Sequence, residues 1–112
     1  MAHIDLIVLY TSHIERLCAF YASLGFRFVE EQHGGGPRHY AASAGDLVLE
    51  LYPTRKCPSR NRLGISVDNI EALLASVDAG CVLGYAVQSK TALLIDPDGR
   101  RIDVKQLRQK PA

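Results

Sequence analysis

Apolar residues alternate with polar ones along several short stretches of this chain, and between those stretches they recur every three or four positions. The first pattern places alternate side chains on opposite faces of a strand, and the second lines one face of a helix. Leu47-Val48-Leu49-Glu50-Leu51-Tyr52 is the clearest strand: Leu47, Leu49 and Leu51 share one face, and Val48, Glu50 and Tyr52 share the other. Residues 4–10 are richer in aliphatic and β-branched side chains and predict a strand buried on both faces. Ile14, Leu17, Cys18, Tyr21 and Leu24 follow at helical spacing. Ser12 with Glu15 predicts a capping box for that helix, and Gly25 a left-handed stop over which Phe26 folds back. Strands are then predicted over 26–32, 38–43 and 47–52, separated by His33-Gly34-Gly35-Gly36-Pro37 and Ala44-Gly45-Asp46.

The same order of signals then starts again. Asp68-Asn69-Ile70-Glu71-Ala72-Leu73 matches Ser12-His13-Ile14-Glu15-Arg16-Leu17 at a constant offset of 56 residues. Ile70, Leu73, Leu74 and Val77 repeat the apolar spacing of the first helix, and Gly80 is placed to end the second. Strands fit 62–67, 81–87, 90–95 and 100–106, the last two joined by Asp96-Pro97-Asp98-Gly99 with proline and glycine where a tight turn wants them. Agreement at this many points marks an internal duplication. The pattern predicts an α+β fold of two βαβββ modules, residues 1–53 and 62–112, joined by a linker over 54–61 within one domain.

Composition narrows the function more than the fold. A length of 112 residues suits one domain, and 47% hydrophobic content is enough for a core. A net charge of +1 offers no general attraction for nucleic acid or a membrane surface. Arg55, Lys56, Arg60 and Arg62 cluster near the linker, but no aromatic residues interleave them to stack on bases, so they read as solvated loop. Cys18, Cys57 and Cys81 are odd in number and lack paired metal-knuckle spacing, which indicates neither a disulfide framework nor a zinc ribbon. The first residues carry charge and histidine, and no run approaches the ~20 apolar residues of a membrane span. The expectation is a cytoplasmic protein with no nucleic-acid partner and no membrane partner. His33-Gly34-Gly35-Gly36 has no accompanying nucleophile elbow, and Asp96 and Asp98 lack the other ligands of a calcium loop, so both read as turns.

Each helix must cover one face of its strands, and that face is the more apolar one. Ile7, Leu9, Leu63, Ile65, Val67, Ile102 and Val104 then turn toward the helices. Leu6, Val8 and Tyr10 face away, as do Arg62, Gly64 and Ser66, and Arg101, Asp103 and Lys105. The repeat makes Leu6 equivalent to Arg62, and Glu50 equivalent to Asp103 near the middle of the closing strands. Both carboxylates are expected in a shared cleft.

Leu9-Tyr10-Thr11-Ser12-His13-Ile14-Glu15, Ala19-Phe20-Tyr21-Ala22-Ser23-Leu24-Gly25-Phe26, and Asp96-Pro97-Asp98-Gly99 leading to Ile102-Asp103 carry a wider likeness. The chain resembles the vicinal oxygen chelate superfamily of glyoxalases, bleomycin-resistance proteins and extradiol dioxygenases over nearly its whole length. The resemblance implies paired βαβββ modules forming a cupped mixed sheet, assembled as a homodimer, with small molecules bound inside the cups. It also implies four metal positions in the metal-using members: a histidine in the first strand, a glutamate in the fourth, a histidine or glutamine opening the second module, and a glutamate in the last strand. Those positions here are Leu6, Glu50, Arg62 and Asp103. Leucine cannot coordinate, arginine offers only donors and stays charged, and two carboxylates fall short of a catalytic zinc set. His39 could reach the same face if its register allows. The expectation is no metal and no other cofactor.

Three readings of function follow. The first is a metal-free small-molecule binder of the bleomycin-resistance kind, with Leu6, Val8, Tyr10, Glu50, Tyr52, Arg62, Ser66 and Asp103 as ligand contacts. In it Arg62 pairs with one carboxylate and leaves the other for the ligand. The second is a lyase, isomerase or dioxygenase with an altered site, in which Glu50 and Asp103 are the catalytic candidates. The third is a non-catalytic dimeric interaction module.

Overall fold

Two four-stranded mixed sheets, each with one helix, account for residues 3–107, the part of the chain that the computed structural model describes. The chain divides into two compact units after Ser59. The first runs β1 (Leu6–Thr11), α1 (Ile14–Ser23), β2 (Val29–Glu31), β3 (His39–Ala44) and β4 (Leu47–Pro53). The second runs β5 (Leu63–Val67), α2 (Ile70–Ser76), a 3₁₀ turn at Ala79–Cys81, β6 (Val82–Ala86), β7 (Thr91–Ile95) and β8 (Arg101–Gln106). This is the βαβββ plan twice over, as the repeat predicts.

Strand order is β1-β4-β3-β2 in one sheet and β5-β8-β7-β6 in the other. In each, the first strand pairs in parallel with the last, and the remaining pairs are antiparallel. A parallel partner needs a crossover, and α1 and α2 supply it. The registers match across the repeat: Val8 lies opposite Glu50, and its equivalent Gly64 lies opposite Asp103. Glu50 and Asp103 therefore hold the same place in their units.

The helix-facing residues form the core. Leu9, Leu17, Tyr21 and Leu51 are fully buried in the first unit, and Ile70, Leu94 and Ile102 in the second. Each fully buried aliphatic side chain contributes about 1.5–3 kcal/mol relative to exposure. The first strand departs from expectation. It starts at Leu6 rather than Ile4, and Leu6 and Tyr10 remain 49% and 48% exposed, because α1 covers only one of its faces.

The helix ends show where local signals succeed and fail. Gly25 sits at φ +109°, Phe26 N–H donates to the Tyr21 carbonyl, and Gly25 N–H donates to Ala22, a complete Schellman stop. The Tyr21 and Phe26 rings lie 6.3 Å apart across it. The capping box does not form. His13 is the N-cap, Thr11 Oγ1 accepts from its N–H, and Glu15 accepts instead from the Tyr40 hydroxyl of β3. In α2 the cap is Asn69, whose side chain accepts from Ala72 N–H. That helix ends before Gly80, because Val77 leaves it in extended conformation to bury its side chain, and Asp78 caps the 3₁₀ turn. The predicted strand over 26–32 shrinks to β2, since Phe26 and Phe28 stay outside the ladder in a chain of aromatic contacts with Tyr21.

The turn between β7 and β8 holds an ion-pair cluster. Asp96 Oδ1 accepts from the N–H groups of Asp98 and Arg100, and Gly99 closes the turn at φ +90°. The Arg100 side chain folds inward, 1% exposed, with Nη1 3.0 Å from both Asp96 Oδ2 and Asp98 Oδ2. These carboxylates neutralise a buried guanidinium rather than hold calcium. Arg100→Met should cost about 3–5 kcal/mol by leaving two buried carboxylates uncompensated, read as a lowered denaturant midpoint; a change within experimental error would refute this role.

Candidate functional site

On the face of the second sheet turned from α2, side chains fall into two rows set by strand register. Gly64, Asp103, Leu93 and Gly84 make one, and Ser66, Lys105, Thr91 and Ala86 the next. The outer strands β5 and β6 supply only small residues, and the inner strands supply the longer ones. The result is a solvent-open hollow of about 700 Å³ lined by both rows. Its floor is apolar at Leu93 and charged at Asp103 and Lys105.

Arg62 closes on Asp103 at the edge of this hollow. Its Nε lies 2.5 Å from Oδ2 and its Nη2 2.8 Å from Oδ1, a bidentate fork. The hydrogen bonds to Arg62 hold the Asp103 carboxyl below the ordinary carboxylate range, and the same bonds raise the already high arginine value. Both side chains are more than half exposed, so the pair orients more than it stabilises.

The corresponding face of the first sheet carries different chemistry. Val8, Glu50, Ala41 and Val29 make one row across all four strands. In the next, Tyr10 lies opposite Tyr52, and Glu31 lies opposite His39. Tyr52 stacks on His39, with ring centroids 4.2 Å apart and planes 10° from parallel. The register thus brings His39 to this face, beside Glu50. His39 is nonetheless buried, 1% exposed, because Tyr52 and the loop residue His33 cover it. Its Nε2 lies 3.6 Å from Glu50 Oε2, 3.5 Å from Glu31 Oε1 and 3.3 Å from the Tyr52 hydroxyl. Burial, then the charges of Glu50 and Glu31, raise the Tyr52 phenol. A second hollow of about 590 Å³ adjoins, lined by Arg27, Val29, Glu31, Ala41, Ser43 and Val48 among others.

Residues 3–104 match the model of the Glyoxalase/Bleomycin resistance protein/Dioxygenase superfamily. The chain belongs to this superfamily. Solved structures agree in fold. TnmS3, an antibiotic-binding protein from Streptomyces sp. CB03234, superposes with a TM-score of 0.70 at 22% identity over 96% of this chain and 98% of its own. An integron cassette protein from the mobile metagenome of V. cholerae gives 0.69 at 20% identity, covering 96% and 97%. Lactoylglutathione lyase from Agrobacterium tumefaciens gives 0.64 at 16% identity, covering 95% and 94%. A search of curated proteins returned no match.

Two of the four positions that the resemblance assigns to a metal carry no free donor for one. Leu6 has no donor atom, and both oxygens of Asp103 are engaged by the Arg62 guanidinium. Of the expected ligand contacts, Arg62, Ser66 and Asp103 lie together in the second unit, and Val8, Tyr10, Glu50 and Tyr52 share a face of the first, with Leu6 at its end. Glu50 meets His39, and the partner of Arg62 is Asp103. Sequence reasoning missed Lys105, Thr91 and Leu93, although Lys105 shares the parity of Asp103. It also missed Glu31 and His33, whose places depend on how the glycine-rich turn sets the β2–β3 register.

The pH dependence of the Arg62–Asp103 pair has a definite sign. Because the Asp103 value is depressed on folding, its contribution is present above the ordinary carboxylate range and disappears as pH falls through the depressed folded value. The stability difference between wild type and Arg62→Ala should be constant near neutrality and vanish in acid, and carboxyl NMR should show Asp103 titrating higher in the variant. A difference that grows toward acid would contradict this.

Proposed function

We propose that the protein binds a small organic molecule of drug or metabolite kind on the sheet faces turned from the helices, without a metal at the four superfamily positions. The hollow of the second unit carries this reading. Its volume of about 700 Å³ falls within the ~300–1,000 Å³ of small-molecule sites, and it joins an apolar floor to fixed charges of both signs. Arg62 holds Asp103 ionised and oriented, so a ligand cation or hydrogen-bond donor meets a set carboxylate. Lys105 offers the opposite charge, which favours a zwitterionic or polar-edged ligand. In the first unit Leu6, Val8, Tyr10, Glu50 and Tyr52 supply mostly apolar and aromatic contact. The similarity to an antibiotic-binding protein supports a binding role. Among the described residues no helix is long and apolar enough to cross a membrane.

Gly64 provides the test. A Cβ at this position meets no atom within 4 Å, so the side chain of Gly64→Leu starts in open space and is expected to narrow the hollow. Metal-free bleomycin and a panel of aromatic antibiotics, titrated by calorimetry, should include at least one micromolar binder. Gly64→Leu should weaken it by about tenfold or more, about 1.4 kcal/mol or more. Affinity unchanged in Gly64→Leu, or no binding across the panel, would count against the reading.

The binder assembles as a homodimer in this proposal. Both sheets end in edge strands, β2 and β6, with exposed apolar residues on or beside them at Val29, Leu83 and Val87. Such edges gain by being covered. Light scattering at micromolar concentration should give twice the chain mass, and a monomer mass would overturn this.

A further inference from the structure

His39 Nδ1 lies 3.2 Å from the Pro37 carbonyl, which can only accept, so in the tautomer that makes this bond Nε2 offers a lone pair. That lone pair faces two carboxylates, Glu31 at 3.5 Å and Glu50 at 3.6 Å. The Tyr52 hydroxyl lies 3.3 Å from the same Nε2, and a cation entering at this point would meet a lone pair and two carboxylates. Neighbouring ligands of a tetrahedral ion with metal–ligand bonds of ~2.0–2.1 Å stand about 3.3–3.5 Å apart, and the His39–Glu31 separation of 3.5 Å falls in that range.

A third donor completes the set. The His33 ring centroid is 5.2 Å from that of His39, and one donor atom each from Glu31, His33 and His39 lie within 4.8 Å of one another. The turn carrying His33 is braced by Gly36 N–H donating to the His33 carbonyl and by Gln32 Nε2 donating to the Gly36 carbonyl. We propose that Glu31, His33 and His39 bind a divalent transition metal, with zinc the favoured ion for two imidazoles and a carboxylate. Nδ1 on the Pro37 carbonyl fixes tautomer and aim, as the outer partner of a ligand histidine does. Stacked Tyr52 holds the ring, and Glu50 supplies a second negative charge beside the ion. Three protein ligands leave a fourth position for water or a ligand, and Glu31 also borders the 590 Å³ hollow of this unit.

The three ligands are none of the four superfamily positions, of which Glu50 borders the site, and all three belong to the first unit. This site departs from the metal-free expectation drawn from the sequence, and its failure leaves the ligand-binding reading untouched. Tag-free, chelator-treated full-length protein should bind zinc at micromolar affinity or tighter by calorimetry, and cobalt should give the intense visible bands of a tetrahedral site. His33→Ala and Glu31→Gln, both at solvent-accessible positions, should each weaken zinc by about tenfold or more while melting unchanged in chelator. Asp103→Asn and Gly64→Leu should leave zinc affinity as in wild type. Millimolar affinity, indifference to His33→Ala and Glu31→Gln, or loss in Asp103→Asn would overturn the proposal.

Discussion

Parallel pairing of the first strand of each unit with its last is the constraint on which the rest depends. It requires a crossover, and the helix that provides it covers one face of the sheet only. It also makes the closing strand an inner one, bonded on both sides: β4 lies between β1 and β3, and β8 between β5 and β7. Alternation along that strand then does two things together. Leu49, Leu51, Ile102 and Val104 enter the core, while Glu50 and Asp103 are delivered to the middle of the opposite face. A carboxylate in such a place needs compensation, and each unit answers it differently.

In the second unit the answer is Arg62, a fork with both oxygens of Asp103 in reach. The pair is exposed, so its value lies in a fixed direction for charge rather than in stability. Small residues at Gly64, Ser66, Gly84 and Ala86 keep space open above it. In the first unit the equivalent hollow is partly filled. Tyr52 stacks on His39, and Glu50 faces an imidazole rather than a guanidinium. A duplicated plan thus carries two kinds of chemistry on these faces, a charge pair in the second unit and a cluster of donor atoms in the first.

Much of this was legible from residue order. The repeat, the facing of β1, β4, β5 and β8 by parity, the Gly25 stop and the turn at Asp96–Gly99 follow from patterns within a few residues. The capping box at Ser12 and Glu15 failed because a distant group competed: the Tyr40 hydroxyl of β3 engages both oxygens of Glu15. Gly80 failed as a helix stop because Val77 gains more by leaving the helix for the core. Arg100 gave no sign in sequence that it would be buried, since only its two turn aspartates make that tolerable.

The sequence by itself determined the two βαβββ units and which side chains leave the core, because period-two and period-3.6 patterns are local properties of a chain with one apolar environment to fill. Tertiary structure alone decided what meets on the exposed faces. The register of β2 against β3 is set by a seven-residue connection from Gln32 to Arg38 containing three glycines, whose path no short-range rule dictates. That register places Glu31 opposite His39 and folds His33 in beside it, while the pairing of β3 with β4 lays Tyr52 over the ring. The Leu47–Pro53 strand thus carried its carboxylate from the beginning, and folding supplied the histidine that Glu50 faces.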